Sequence, residues 1–399
     1  MDNVLLKGSF LTKTISSLVS VVVLLFIIGG LPPIPSIVLY ASYVVAAIFF
    51  IFSPSISFIP SYIFFLSYIG LSIPFKNISF VFHSQERFFL FALLLFIASP
   101  LVQCRRSLDF RSNCLTMILV ASVLLSVGSF FCYFMGINLF VRLGESYADV
   151  DVYKGSAGYF SGLTKHSMIL GPIAGVSIIY LLHIIQNSRK FILLIPVLLC
   201  SGALLLSASR GAIISSIVSL VFFLYCLSDS LLIFIKRMFL VLSLLIVSFP
   251  IWQDAAVGVI SKQETRSRSG GAFDSRTVKF DNRVKEFTSN PITGIGFASV
   301  DSNHRTDYDA SSGIIEPGSS WLAVLSMTGL VGFSFFVYFI LSALINCFKP
   351  VRKDLLLSTL LVFFLVHMLI EGYVFAGGNP VTFILWLIIA RCTDLLTSY

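Results

Sequence analysis

Charge is scarce in this chain. Only 12% of its 399 residues are Asp, Glu, Lys or Arg, and 57% are hydrophobic. A soluble domain carries about 25% charged residues, so too little polar surface exists to cover a water-soluble globule of this size. The mean hydropathy of +0.96 says the same. The sequence also lacks a Walker motif, and no GxGxxG follows a strand pattern, which argues against nucleotide chemistry. Cys and His show no metal-ligand spacing, so no metal and no cofactor is expected. The seven cysteines lie in or beside apolar runs, and no disulfide is expected.

What the chain has instead is apolar segments of spanning length. Roughly 20 apolar residues cross the hydrocarbon core as a helix. Helices are expected near 15–31, 34–53, 55–73, 87–103, 114–137, 166–186, 191–208, 211–228, 230–250, 320–348, 355–374 and 380–397. The fourth is short and contains Pro100, and Gly-Gly-Leu-Pro-Pro at 29–33 closes the first. The first has no small-residue cleavage site before that turn, so it reads as a retained span. The expected class is an all-α polytopic membrane protein of about a dozen transmembrane helices.

Lys and Arg give the bundle a direction. With a cytoplasmic N-terminus, the inner segments hold Lys7, Lys13, Arg105, Arg106, Arg111, Arg189, Lys190, Lys236, Arg237, Lys349, Arg352, Lys353 and Arg391. Outside one long loop, the other face holds only Lys76, Arg87, Arg142, Lys154, Lys165 and Arg210. This bias places both termini inside. The net charge of +8 then reflects basic anchors against anionic lipid and requires no nucleic acid.

The organisation that follows has five parts: N-terminal spans over 1–137, a first outside loop over 138–165, central spans over 166–250, a large outside loop over 251–319 and C-terminal spans over 320–399. All the spare chain lies on one face, where the work is expected. Within the large loop, residues 275–289 read as a helix with Phe280, Val284 and Phe287 along one stripe and Arg276, Lys279 and Arg283 along a second. Asp274 or Ser275 can cap it, and Asn290-Pro291 ends it. The basic stripe suits either a peripheral helix snorkelling into headgroups or a cationic wall facing an anionic lipid headgroup.

Ionisable residues at the spans are few. Arg210 sits between Ser207-Ala208-Ser209 and Gly211, where a charge near the bilayer is a functional candidate by default. Its plainer role is a turn residue reaching water. His367 and Glu371 stand four apart at the outer end of the eleventh span, and a structural hydrogen-bonded pair is the stronger expectation there.

Several motifs coincide. Phe160-Ser161-Gly162-Leu163, Lys165-His166 and Gly171-Pro172 enter the sixth span, and Ser207-Ala208-Ser209-Arg210-Gly211 joins the seventh and eighth. Arg283 is followed by Asn290-Pro291-Ile292-Thr293-Gly294-Ile295-Gly296, then by Ser319-Ser320-Trp321-Leu322 and Gly329-Leu330-Val331-Gly332. In this order, around one large loop, they resemble the bacterial O-antigen ligase and O-antigen/exopolysaccharide polymerase family of Wzy type. The resemblance covers about residues 155–375. It implies a metal-independent glycosyltransferase that takes a glycan from undecaprenyl diphosphate at the periplasmic face. A polymerase passes it to the next lipid-linked repeat unit, and a ligase passes it to lipid A–core. The implied partners are the lipid-linked oligosaccharide, membrane lipids and a chain-length regulator protein. One departure stands out. Many members carry a His before the Ser/Tyr-Leu stretch, where this chain has Glu316-Pro317-Gly318-Ser319-Ser320-Trp321.

Such chemistry needs cations for the departing diphosphate and a base for the acceptor hydroxyl. Arg suits diphosphate because its planar fork can bond two oxygens. Arg210 and Arg283 match the family positions and are the first candidates, with Arg276, Lys279 and Arg305 next and Lys165 and Arg142 from the first loop. Glu316 is the first candidate base and His304 the second. Glu316 equally suits the first turn of the tenth span, where a helix dipole favours an acid. The leading expectation is a repeat-unit polymerase, the runner-up an O-antigen ligase. A flippase-type transporter is the alternative of another class, although no halves-related repeat is visible.

Overall fold

The computed structural model describes residues 2–29, 31, 34–76, 78–139, 160–247, 253, 274–301, 303–304, 307–309, 313–348 and 354–394, with backbone only at 2–9, 244–245, 247 and 274–276. The described residues form an all-helical bundle. Its elements are α1 (Asp2–Ile27), α2 (Ser36–Ile51), α3 (Pro60–Phe75), α4 (Ser84–Ala98), α5 (Arg105–Met135), α6 (Ser167–Ser188), α7 (Leu194–Leu206), α8 (Arg210–Leu227), α9 (Leu231–Val247), α10 (Asp274–Ser289), α11 (Ser320–Phe348), α12 (Leu355–Ile370) and α13 (Pro380–Asp394). Each expected span contains one helix, and α10 is the loop helix. Six stretches are long and apolar enough to cross a membrane: Phe10–Ile27, Phe80–Ala98, Arg105–Met135, Ser167–Ser188, Arg210–Leu227 and Ser320–Phe348. Shorter apolar helices cover Ser36–Ile51, Pro60–Phe75, Phe191–Leu206 and Leu355–Ile370.

Several boundaries depart from the sequence reading, two of them with a visible cause. The fourth helix stops at Ala98, and Val102–Gln103 pairs antiparallel with Ser57–Phe58. Pro100 thus lies in a connector, where its missing N–H costs nothing. The fifth helix starts nine residues before the apolar run, because Cys104 and Ser107 form a reciprocal capping box. That extension carries Arg111 inward. Arg111 is fully buried against Asp394, so it is not one of the basic headgroup anchors.

The last helix, α13, is the axis of the bundle, with every residue from Pro380 to Ala390 buried. Trp386 sits among Tyr62, Phe91 and Phe336 at ring separations of 6.0–6.4 Å. In lipid, such packing and interhelical hydrogen bonding replace the hydrophobic drive that operates in water. The opposite case is α9, which exposes Leu231, Leu232, Ile235, Phe239 and Leu240.

The eleventh helix is broken at Gly329, whose φ of 62° and ψ of −168° are open essentially to glycine alone. The Asn290–Gly296 motif fills the break. Ile295 and Gly296 donate to the carbonyls of Ser326 and Met327, and Leu330 and Val331 donate to those of Pro291 and Ile292. The Tyr68 hydroxyl donates to the Thr328 carbonyl at 2.8 Å. Backbone groups freed by the break are therefore satisfied by the loop, as a bilayer requires. A Cβ on Gly329 would meet the Ile292 carbonyl oxygen at 2.3 Å, which explains the glycine at that position.

Candidate active site

The candidate site lies where the first residues of α8 and α11, the last of α12 and the inner face of α10 converge. Ser207-Ala208-Ser209 makes the α7–α8 turn, with Ala208 at a φ of 46° and the Ser207 hydroxyl donating to the Leu204 carbonyl. The turn rests on α6, where a Cβ on Gly171 would fall 2.5 Å from that of Ser209. Arg210 follows, half-buried at the first turn of α8. A Cβ on the next residue, Gly211, would touch the Glu371 side chain at 3.5 Å. Glu371 is not on the helix face with His367, as its sequence position suggested. The helix ends at Ile370, and Glu371 is an extended, buried cap residue. His367 instead places Nδ1 3.1 Å from the Tyr373 hydroxyl.

The Ser319-Ser320-Trp321 motif fastens α11 to this corner. Ser320 donates to the Glu371 carbonyl from its backbone N–H (3.0 Å) and from its hydroxyl (2.7 Å). Its hydroxyl oxygen accepts from the Tyr373 N–H at 3.0 Å. Ser319 donates to the Met368 carbonyl and Trp321 Nε1 to that of Leu365. Pro317 packs on Gly372, leaving no room for a Cβ there. Glu316, one residue earlier, therefore stands beside the corner that carries Arg210. Its half-exposed carboxylate accepts from the Lys279 ammonium, which comes from α10.

Of the basic stripe expected to face headgroups, Arg283 is fully buried and Lys279 half-buried, and the Arg276 side chain lies outside the described residues. Of the apolar stripe, Val284 is exposed while Phe280 and Phe287 are half-buried. Arg283 turns inward with Asn282 and Glu286 because the polar groups satisfy one another. Arg283 Nη1 donates to Glu286 Oε2 at 2.9 Å and, at 3.3 Å each, to the Ser299 carbonyl and the Ser326 hydroxyl. Among the described residues its Nε and Nη2 have no hydrogen-bond partner. Burial pushes the Arg283 guanidinium below its ordinary value, and Glu286 and Asp307 push it back up. The second Glu286 oxygen accepts from the Asp301 N–H at 3.0 Å and lies 3.4 Å from His304 Nδ1. Asn282 donates to Asp307 at 3.2 Å, and the Asp307 carbonyl accepts from the Glu316 N–H at 2.8 Å.

The structure therefore brings Lys279, Arg283, His304 and Glu316 into one hydrogen-bonded region and sets Arg210 at its neighbouring corner. Lys165 lies apart from these contacts, at the α1–α6 junction. Its N–H donates to the Ile27 carbonyl, its ammonium covers the Phe26 ring, and burial pushes it below its ordinary value. Arg142 and Arg305 lie outside the described residues, as does the Arg276 side chain. The helix begins at Asp274, but the capping side chains at 274 and 275 are likewise outside the description. Sequence reasoning missed Glu286, Asn282 and Asp307. The 3-residue spacing of Arg283 and Glu286, one helical turn apart, was the signal for the first.

Fold and site together define a helical membrane-type bundle with a buried, arginine-bearing charge cluster at one end. Residues 195–337 match a family model described as O-antigen ligase, the family that the motifs resemble. The match runs from α7 into α11 and takes in Arg210, Lys279, Arg283, His304 and Glu316. It supports glycosyl transfer of the O-antigen ligase or polymerase type in general terms. No curated protein matches the chain.

Proposed function

We propose that this chain is an inner-membrane polysaccharide polymerase that joins undecaprenyl-diphosphate-linked repeat units at the periplasmic face. The observation that carries the reading is the polar network that ties Arg283 to Glu286 and His304 and Lys279 to Glu316, next to the Pro317–Gly372 contact at the corner whose Gly211 follows Arg210. All twelve apolar helices cross the bilayer in this reading, and both termini are cytoplasmic. The bundle admits the polyprenyl chain from the side, and the charged corner receives the diphosphate.

The reaction is an inverting displacement. The acceptor hydroxyl loses its proton to Glu316 or His304 and attacks the anomeric carbon from the face opposite the diphosphate. Arginines neutralise the departing diphosphate, the role a divalent ion plays in other glycosyltransferases. Arg210, half-buried at the corner, meets it first. The Nε and Nη2 of Arg283, which have no hydrogen-bond partner among the described residues, supply further donors as substrate enters. The ligase reading keeps a specific argument, the wording of the matched family. No matched family favours a transporter.

Deletion followed by lipopolysaccharide gel analysis tests the proposal. A polymerase mutant accumulates core bearing a single repeat. Bare core with accumulation of lipid-linked glycan points to the ligase instead. Arg210→Ala and Arg283→Ala should each reproduce the deletion while the protein stays inserted. Long polysaccharide in both variants would sink the mechanism.

A further inference from the structure

The family position for a His is empty of one here, yet His304 has acquired what a working base needs. A general base is held in one tautomer and orientation by a third group. His304 lies 3.4 Å from Glu286 through Nδ1, and its side chain keeps 17% exposure, whereas the Glu286 side chain keeps 1%. The carboxylate itself is fixed from two further directions, by Arg283 Nη1 at 2.9 Å and the Asp301 N–H at 3.0 Å. The turn is also pinned, since His304 donates its N–H to the Asp301 carbonyl and accepts from the Asp307 N–H. Asp307 in turn holds the Glu316 N–H, so the imidazole and the corner of the candidate site are two backbone hydrogen bonds apart.

We infer that Glu286 is the positioning residue for His304 as general base. This rests on the glycosyl-transfer reading and deepens it. The Nδ1–H of His304 donates to Glu286, which leaves Nε2 unprotonated for the acceptor. In the reaction the acceptor O–H proton passes to Nε2 as the new C–O bond forms. The anomeric C–O bond to the diphosphate breaks, and its electron pair leaves with the diphosphate. The imidazolium that results is stabilised by Glu286. The same carboxylate holds Arg283, so the base and a diphosphate-binding arginine share one anchor. Among the described residues, the charged and titratable groups around His304 are Glu286 and, through it, Arg283 from α10, with Asp301 and Asp307 from its own loop.

The test is kcat and KM of the purified full chain in nanodiscs, with a polyprenyl-diphosphate-linked oligosaccharide as substrate. His304→Ala should cost about a hundredfold in kcat/KM. Glu286→Gln keeps an acceptor for Arg283 but removes the charge that orients the imidazole, so kcat should fall by at least about tenfold while KM changes by less than about twofold. In the His304→Ala background the same substitution should cost nothing further, because the carboxylate acts through the imidazole. A merely structural Glu286 would cost as much with His304 absent as with it present, which overturns the inference. So does full activity in His304→Ala. Should Glu286→Gln fail to fold, the ring nitrogen chemical shifts of His304 in the unaltered protein read its tautomer directly. A proton on Nδ1 is expected, and a neutral ring protonated on Nε2 overturns the inference. Arg210→Ala separates the two levels. Lost turnover there with additive His304 and Glu286 costs rejects the role of Glu286 alone, and full turnover in Arg210→Ala rejects the glycosyl-transfer reading.

Discussion

Arg111 and Asp394 form a buried two-pronged ion pair across the bundle. Nε reaches Oδ2 at 2.8 Å and Nη2 reaches Oδ1 at 2.6 Å. Nη1 donates to the carbonyls of Ser99 and Val102 at 3.0 Å each. The pair thus ties the start of α5, the α4–α5 connector and the end of α13 together. Removing either partner strands a charge in the interior, at a cost of about 3–5 kcal/mol. Arg111→Ala and Asp394→Ala should each lower the melting temperature in detergent sharply. The double variant Arg111→Met with Asp394→Leu should be more stable than either single variant. A double variant no better than the singles would contradict the pairing.

The break in α11 should not tolerate a side chain. A Cβ at Gly329 would collide with the Ile292 carbonyl oxygen, and the backbone conformation there is itself strained for any other residue. Gly329→Ala should cost at least about 1–3 kcal/mol and make the 290–296 segment easier to cleave by protease. Gly378 is the control, because an added Cβ there meets only ordinary contacts at 3.4 Å and beyond. Gly378→Ala should melt near the unaltered protein.

The seat of Arg210 should be sensitive to bulk on α6. Gly171→Ala would press on the Ser209 Cβ at 2.5 Å and displace the α8 start. Polymer yield should fall further than thermal stability does. Adding Ser209→Gly removes the obstructing atoms, and glycine at an N-cap costs only a few tenths of a kcal/mol. Yield restored in the double variant supports the steric account, and no recovery refutes it.

The Lys279–Glu316 pair is half open to solvent on the Glu316 side. Exposed pairs of this kind contribute about 0–1 kcal/mol. Lys279→Ala and Glu316→Ala should therefore leave the melting temperature almost unchanged. Any loss of polymer in either then reports on substrate handling. A large fall in stability would show that the pair anchors the loop.

Much of this was readable from local pattern. The apolar runs placed the helices, and Arg210, Arg283 and the Asn290–Gly296 motif were singled out before any contact was known. The motif's purpose was not readable, since it completes a helix break more than thirty residues away in sequence. The loop helix misled for a related reason. Its Phe and Val spacing pointed one way, but Asn282, Arg283 and Glu286 turn inward because each finds partners from 299–307 and α11.

The sequence by itself determined that the chain needs a bilayer. With so few charges, no arrangement of it presents a polar surface to water all round. It also determined the family resemblance, because the motifs depend on residue type and order. Tertiary structure alone decided which apolar helix is central. Both α9 and α13 are apolar along most of their length, with Lys236 and Arg237 in one and Arg391 and Asp394 in the other, and so short a polar signal carries little instruction about which helix is central. It alone decided the charge partners too. Arg111 and Asp394 lie 283 residues apart, and Glu286 becomes the anchor of both Arg283 and His304 only when the loop folds back over it.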